Sequence, residues 1–123
     1  MNKKILVVED NELSMLLMVD ILRHHGYKVI QATNGSQGLE LARDHSPDLI
    51  LMDMQMPVMD GFEAIEKLRA DKETAGIKIV AVTSFAMAEE KRRVFETGAD
   101  EYISKPIDTR QIPLIVQRMI GFP

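Results

Sequence analysis

The sequence predicts an α/β fold, a doubly wound five-stranded parallel sheet flanked by five helices. Apolar runs recur at Ile5-Leu6-Val7-Val8, Leu49-Ile50-Leu51-Met52 and Ile79-Val80-Ala81-Val82. Unbroken runs of this length read as strands buried on both faces. Helix-like sequence separates each run from the next. Strict alternation of strand and helix implies parallel strands, right-handed crossovers and helices on both faces of the sheet.

Each remaining element has a local signal. Tyr27-Lys28-Val29-Ile30-Gln31-Ala32 and Glu101-Tyr102-Ile103-Ser104 carry more polar residues and suit strands nearer the sheet edges. Asn11 can cap a first helix running to His25, with Gly26 as its stop. Ser36 can cap a second helix containing Leu39, Leu41 and Ala42, and Asp60 with Glu63 makes a capping-box-like start to a third, with Phe62, Ile65 and Leu68 at core spacing. The fourth, Ala86 to Thr97 before Gly98, has little apolar content beyond Met87, Val94 and Phe95, so it is expected to be mostly exposed. The fifth spans roughly Asp108 to Ile120. Pro113 prefers a helix's first turn, which puts the start between Asp108 and Ile112.

Bulk composition excludes several classes. A chain of 123 residues, 46% of them apolar, is long enough for one core, so one domain covering 1–123 is expected. No stretch approaches the roughly 20 apolar residues that span a bilayer, and no cleavable leader precedes the first strand, so a cytoplasmic protein without a membrane partner is expected. Zero cysteines exclude disulfides and thiolate metal sites. A net charge of −4 argues against direct nucleic-acid binding, which needs clustered excess Lys and Arg. Most of the nine methionines read as core filler. His24, His25 and His45 fall at helix ends without spacing to any acidic site and read as solvated residues.

The chemistry lies where the strands end. Glu9-Asp10 follow the first apolar run, Asp53 the third strand, Thr83 the fourth, and Lys105-Pro106 the fifth. Ligands of doubly wound sheets bind outside the carboxyl ends of the strands, at the switch point. A lone acid after a strand is ordinarily a cap or a solvated turn. Three carboxylates, a hydroxyl and an amine converging from four strands are a candidate site. Two unit charges about 4 Å apart at an effective dielectric near 20 repel by roughly 4 kcal/mol, so the acids need cations. Lys105 and a hard divalent ion would balance them, and oxygen-only ligands suit Mg²⁺. A carboxylate beside such a cation can attack phosphorus.

Glu9-Asp10, Leu51-Met52-Asp53-Met54-Gln55-Met56-Pro57, Met59-Asp60-Gly61, Thr83 and Ser104-Lys105-Pro106 together resemble the signature of response-regulator receiver domains, over essentially the whole chain. The resemblance implies a flavodoxin-like receiver architecture and phosphorylation of Asp53 by a sensor histidine kinase or histidine phosphotransfer protein. It implies Mg²⁺, with Mn²⁺ able to substitute, held by Asp10, Asp53 and the backbone carbonyl of Gln55, with Glu9 completing the acidic pair. Lys105 and Thr83 would stabilise the phosphoryl oxygens, and the Lys105–Pro106 bond would be cis. Thr83 and Tyr102 would form the switch, and Phe85, Met87 and Tyr102 would contribute to a surface for a downstream signalling protein. Gln55 and Phe85 occupy the variable positions at which the family tunes phosphoryl lifetime. Such a chain is a phosphoacceptor, catalysing only its own phosphorylation and dephosphorylation.

Other classes fit less well. Aspartate-nucleophile phosphatases need a second Asp two residues after the first, where this chain has Gln55, and a flavodoxin-like electron carrier needs a Gly- and hydroxyl-rich phosphate loop where this chain has Glu9-Asp10-Asn11. Met1 abutting the first strand suggests a native start, and Ser84-Phe85-Ala86-Met87 after Thr83 resembles the single-domain cell-cycle regulators of the family. The alternative is a receiver module excised from a hybrid kinase or multidomain regulator.

Overall fold

The computed structural model describes residues 2–84 and 87–123. In chain order it contains β1 (Lys4–Val8), α1 (Glu12–His24), β2 (Lys28–Ala32), α2 (Gly35–His45), β3 (Leu49–Asp53), α3 (Gly61–Ala70), β4 (Lys78–Thr83), α4 (Ala88–Thr97), β5 (Glu101–Ser104) and α5 (Gln111–Ile120). All pairings are parallel, in the order β2-β1-β3-β4-β5. The two strands with the most polar sequences therefore form the edges. The chain winds outward from β1 to β2, then back across β1 to β3, which makes the gap between the ends of β1 and β3 the topological switch point.

Side chains alternate across the sheet and build two cores. Ile5, Val7, Leu49, Leu51, Val80 and Val82 pack with Met18, Val19 and Leu22 of α1 and Ile112 and Val116 of α5. Leu6, Val8, Ile50, Met52, Ile79 and Ala81 pack on the other face with Ala42 of α2, Phe62, Ile65 and Leu68 of α3 and Val94 of α4. Every residue of β3 is buried, as its unbroken apolar run requires. Among the described residues no helix is long and apolar enough to cross a membrane.

The caps follow local chemistry, with one correction. Asn11 Oδ1 accepts from Ser14 N (2.9 Å) and Asp60 Oδ1 from Glu63 N (3.0 Å). The cap of α2 is Asn34 and not Ser36: Asn34 Oδ1 accepts from Gln37 N at 2.8 Å, which leaves Ser36 inside the first turn. α1 ends at His24, one residue earlier than the sequence suggests, with His25 as its C-cap and Gly26 following at φ +94°. α5 starts at Gln111, so Pro113 sits in its first turn, where a missing N–H loses no helical bond. α4 starts at Ala88 behind Met87, which gives it no side-chain cap, and Ala86, the expected first residue, lies outside the described residues. Val94 is buried there while Phe95 is 43% exposed, the light packing expected of this helix.

Two backbone features shape the loop after β3. A Cβ on Gly61 would come within 2.7 Å of Asp53 O and Met54 Cα, so only glycine lets α3 start this close to the end of β3. Val58 adopts φ +69° with its side chain fully exposed. A β-branched residue in the left-handed region is a strained outlier costing about 1–2 kcal/mol, and Val58 has no packing that offsets it. Val58→Asn is therefore expected to stabilise the fold by about 1 kcal/mol, measured as a higher denaturant midpoint at unchanged slope. A lower midpoint would contradict this account of the loop.

Candidate functional site

The strand register levels the functional side chains. Val8 pairs with Met52, Asp53 with Val82, and Thr83 with Ser104, so Glu9-Asp10, Asp53, Thr83 and Lys105 all emerge at the carboxyl edge, around the switch point. Glu9, Asp53 and Thr83 are buried, whereas Asp10 is exposed. One ligand oxygen from each of Glu9, Asp10 and Asp53 lies within 4.8 Å of the others.

Lys105 is the counter-charge. Its Nζ stands 3.0 Å from Glu9 Oε1 and 3.5 Å from Asp53 Oδ1. Asp53 Oδ1 also accepts from Gln55 N (3.1 Å), and Glu9 Oε2 accepts from Asn11 N (3.2 Å). The ammonium is close enough to Glu9 Oε1 for an ion pair but is not aligned for a hydrogen bond. Glu9 Oε1 and Asp53 Oδ2 are thus buried without a hydrogen-bond donor among the described residues. Buried carboxylate oxygens without donors are costly, and they mark where a cation or another electrophile fits.

The electrostatics follow from that geometry. Burial, the facing Glu9 carboxyl and its charge push the Asp53 carboxyl up to about 8, against the opposing pull of Gln55 N–H and Lys105. Burial disfavours the Lys105 ammonium, but Glu9 and Asp53 outweigh it and leave its pKa raised. The clustered donors are carboxylate oxygens, which fit a hard divalent cation such as Mg²⁺.

A second network joins the loops. Gln55 Nε2 donates to Thr83 Oγ1 (2.9 Å), and Gln55 Oε1 accepts from Ser84 N (2.9 Å). From sequence, Gln55 is a backbone ligand and a variable position near the acceptor, with no partner for its side chain. No local pattern reveals that its side chain spans to β4, because that reach is fixed by sheet order. The Lys105–Pro106 peptide bond is cis. Tyr102 pairs with Ala81 and stands on the same face as Thr83, but its ring lies towards α4, 6.0 Å from the Phe95 ring and 5.0 Å from Lys91 Nζ. Met87 is exposed, and Phe85 lies outside the described residues. An open groove of about 330 Å³ lined by Glu9, Asp10, Met15 and Leu16 adjoins the acidic cluster; a similar hollow between α2 and α3, lined by Leu39, Arg43 and Lys67, shares no residue with it.

The response regulator receiver domain family matches residues 5–117. The chain is 42% identical to the polar-differentiation response regulator DivK of Brucella anthropi over 121 residues, 98% of each chain. The receiver domain of the sensor histidine kinase PA1611 from Pseudomonas aeruginosa PAO1 is similar at 32% identity and a TM-score of 0.90, with 98% of this chain and 99% of that one covered; that structure has a magnesium ion coordinated in its active site cleft. The chemotaxis protein CheY4 of Vibrio cholerae gives a TM-score of 0.92 at 28% identity, over 97% and 99% of the two chains.

Replacing the Asp53 carboxylate by a neutral amide tests the electrostatic account in metal-free solution. Below the usual Asp value of 3.8 the carboxyl is protonated in folded and unfolded chains alike. As the pH rises, the unfolded chain ionises while the folded site resists, so stability falls until the pH passes about 8. The stability advantage of Asp53→Asn over the wild type should therefore widen across that window to the order of a few kcal/mol and then level off. Denaturant titrations with a chelator check it, and an advantage that narrows with rising pH would contradict it.

Proposed function

The chain belongs to the response regulator receiver domain family, and from the geometry of its acidic site we propose that Asp53 is the phosphoacceptor of a two-component or phosphorelay pathway. It acts in phosphorylation-dependent signalling and is not a conventional enzyme. The observation that carries the assignment is the state of the Asp53 carboxylate. One oxygen is held by Gln55 N–H beside Lys105, while the other is buried with no donor among the described residues.

In the transfer, the N–P bond of a donor phosphohistidine breaks, an O–P bond to Asp53 forms, and the donor imidazole is released. Asp10 and Asp53, with the Gln55 backbone carbonyl, would hold Mg²⁺, and Glu9 would complete the acidic pair. Bound there, the ion offsets charge on the phosphoryl oxygens. Lys105 contributes a second positive charge and Thr83 a hydroxyl donor, so the chain's own part is positioning and electrostatic stabilisation. Leu13 and Leu16 of α1 are exposed, Leu16 beside the groove at Glu9 and Asp10, which supports docking of the histidine kinase or phosphotransfer protein on that side.

Output is assigned to the α4-β5-α5 surface, with residues 1–123 acting as one receiver unit through protein contacts. The 42% identity to the polar-differentiation regulator supports a signalling role of that kind. Light packing of α4 makes it a natural two-state element. Tyr102, on the same face as Thr83, can relay a movement of Thr83 by leaving Phe95 and Lys91, changing the surface that includes Met87.

Acetyl phosphate with Mg²⁺ should add one phosphoryl group by intact mass, and Asp53→Asn should abolish the addition. Backbone amide shifts of the modified protein should extend from Asp53 to α4 and Tyr102. Undiminished labelling of the variant contradicts the acceptor assignment, and shifts confined to the neighbours of Asp53 contradict the output surface.

A further inference from the structure

The side chain of Gln55 bridges two loops that the phosphoryl group must rearrange. Because Ser84 contributes a backbone N–H, a donor only, the amide must present Oε1 to it and Nε2 to Thr83, so the orientation follows from the chemistry of the partners. Gln55 is half-buried on the β3–α3 loop, and both of its partners lie at the end of β4. Asp53 Oδ2 is buried without a donor among the described residues. Met87 gives α4 no side-chain cap, and the Ser84 N–H just beyond β4 is held by Gln55 Oε1.

We infer that the Gln55 amide is a clasp for the resting state, holding Thr83 and Ser84 at the end of β4 until a phosphoryl group on Asp53 draws the Thr83 hydroxyl inwards. This rests on Asp53 as the phosphoacceptor and adds a positioning residue that acts through Thr83. When Thr83 moves towards Asp53, the Nε2–Oγ1 bond is lost or must be remade, and the paired bond to Ser84 weakens with it. The clasp therefore sets how far the unmodified protein populates the switched state. Only a contact made in one state and not the other can shift such a population. Gln55 is a positioning residue in this account.

Gln55→Met keeps the length of the side chain and removes both hydrogen bonds, while the backbone N–H to Asp53 and the backbone carbonyl stay in place. The measurement is the affinity of the Mg²⁺-loaded protein for beryllofluoride, with amide hydrogen exchange at Ser84 recorded on the metal-free protein. Gln55→Met should bind beryllofluoride roughly 5- to 30-fold more tightly than the wild type, a coupling within reach of one or two neutral hydrogen bonds. Ser84 exchange should become faster, while amides in the core of β3 stay protected, which also establishes that the variant is folded. Equal or weaker affinity overturns the clasp, the weaker result making Gln55 a brace for the phosphorylated state. If wild type and Asp53→Asn both fail to bind beryllofluoride, the phosphoacceptor reading falls. Ser84 exchange then decides the clasp alone: unchanged exchange in Gln55→Met overturns it, and faster exchange upholds it.

Discussion

Lys105 Nζ stands 3.0 Å from Glu9 Oε1 and 3.5 Å from Asp53 Oδ1, and both acids are buried. One ammonium faces two buried carboxylates, with Asp10 as a third acid at the rim. The resulting excess of negative charge is the constraint from which the rest of the site follows. Together with burial, which is the larger cause, the facing Glu9 raises the Asp53 carboxyl; one Asp53 oxygen is buried with no donor among the described residues, and the pocket is a place where positive charge or an electrophilic phosphorus is stabilised.

The fold confines that charge to one rim. The side chains of β1 and β3 are apolar along the shared strands and become acidic only at or just beyond the last residue, so the acids meet at the switch point while the two cores stay dry. Gly61 allows α3 to begin against the end of β3, and the intervening loop returns Gln55 over the strand ends. Local stability is uneven as a result. The sheet centre is fully buried, whereas among the described residues α4 buries Val94 alone and otherwise rests on ring contacts, Arg93 on Phe62 and Phe95 and Lys91 on Tyr102. A rigid charge site joined to a lightly held helix is an arrangement in which a local change in charge has a distant consequence.

Much of this was legible in the sequence because it depends on short-range regularities. Buried parallel strands show as unbroken apolar runs, edge strands as mixed ones, and residues that follow strands fall on one rim, so Glu9, Asp10, Asp53, Thr83 and Lys105 could be named together. Asn34 was missed as a cap because Ser36 is also a good capping residue, and only geometry chooses between them. The left-handed Val58 could not be foreseen, since a β-branched residue argues against that conformation. The Gln55 clasp joins residues 28 and 29 positions apart, so it becomes visible only when β3 and β4 are paired.

The most direct measurement of the central claim is the thermal unfolding midpoint of the wild-type protein with a chelator and with saturating Mg²⁺. If the acidic cluster is strained for want of positive charge and exists only in the folded chain, the ion must stabilise the fold. At 100 times its dissociation constant the gain is roughly 2.7 kcal/mol. The account predicts a clear rise in the midpoint that is lost in Asp10→Asn. An equal midpoint in chelator and in saturating Mg²⁺ would contradict it.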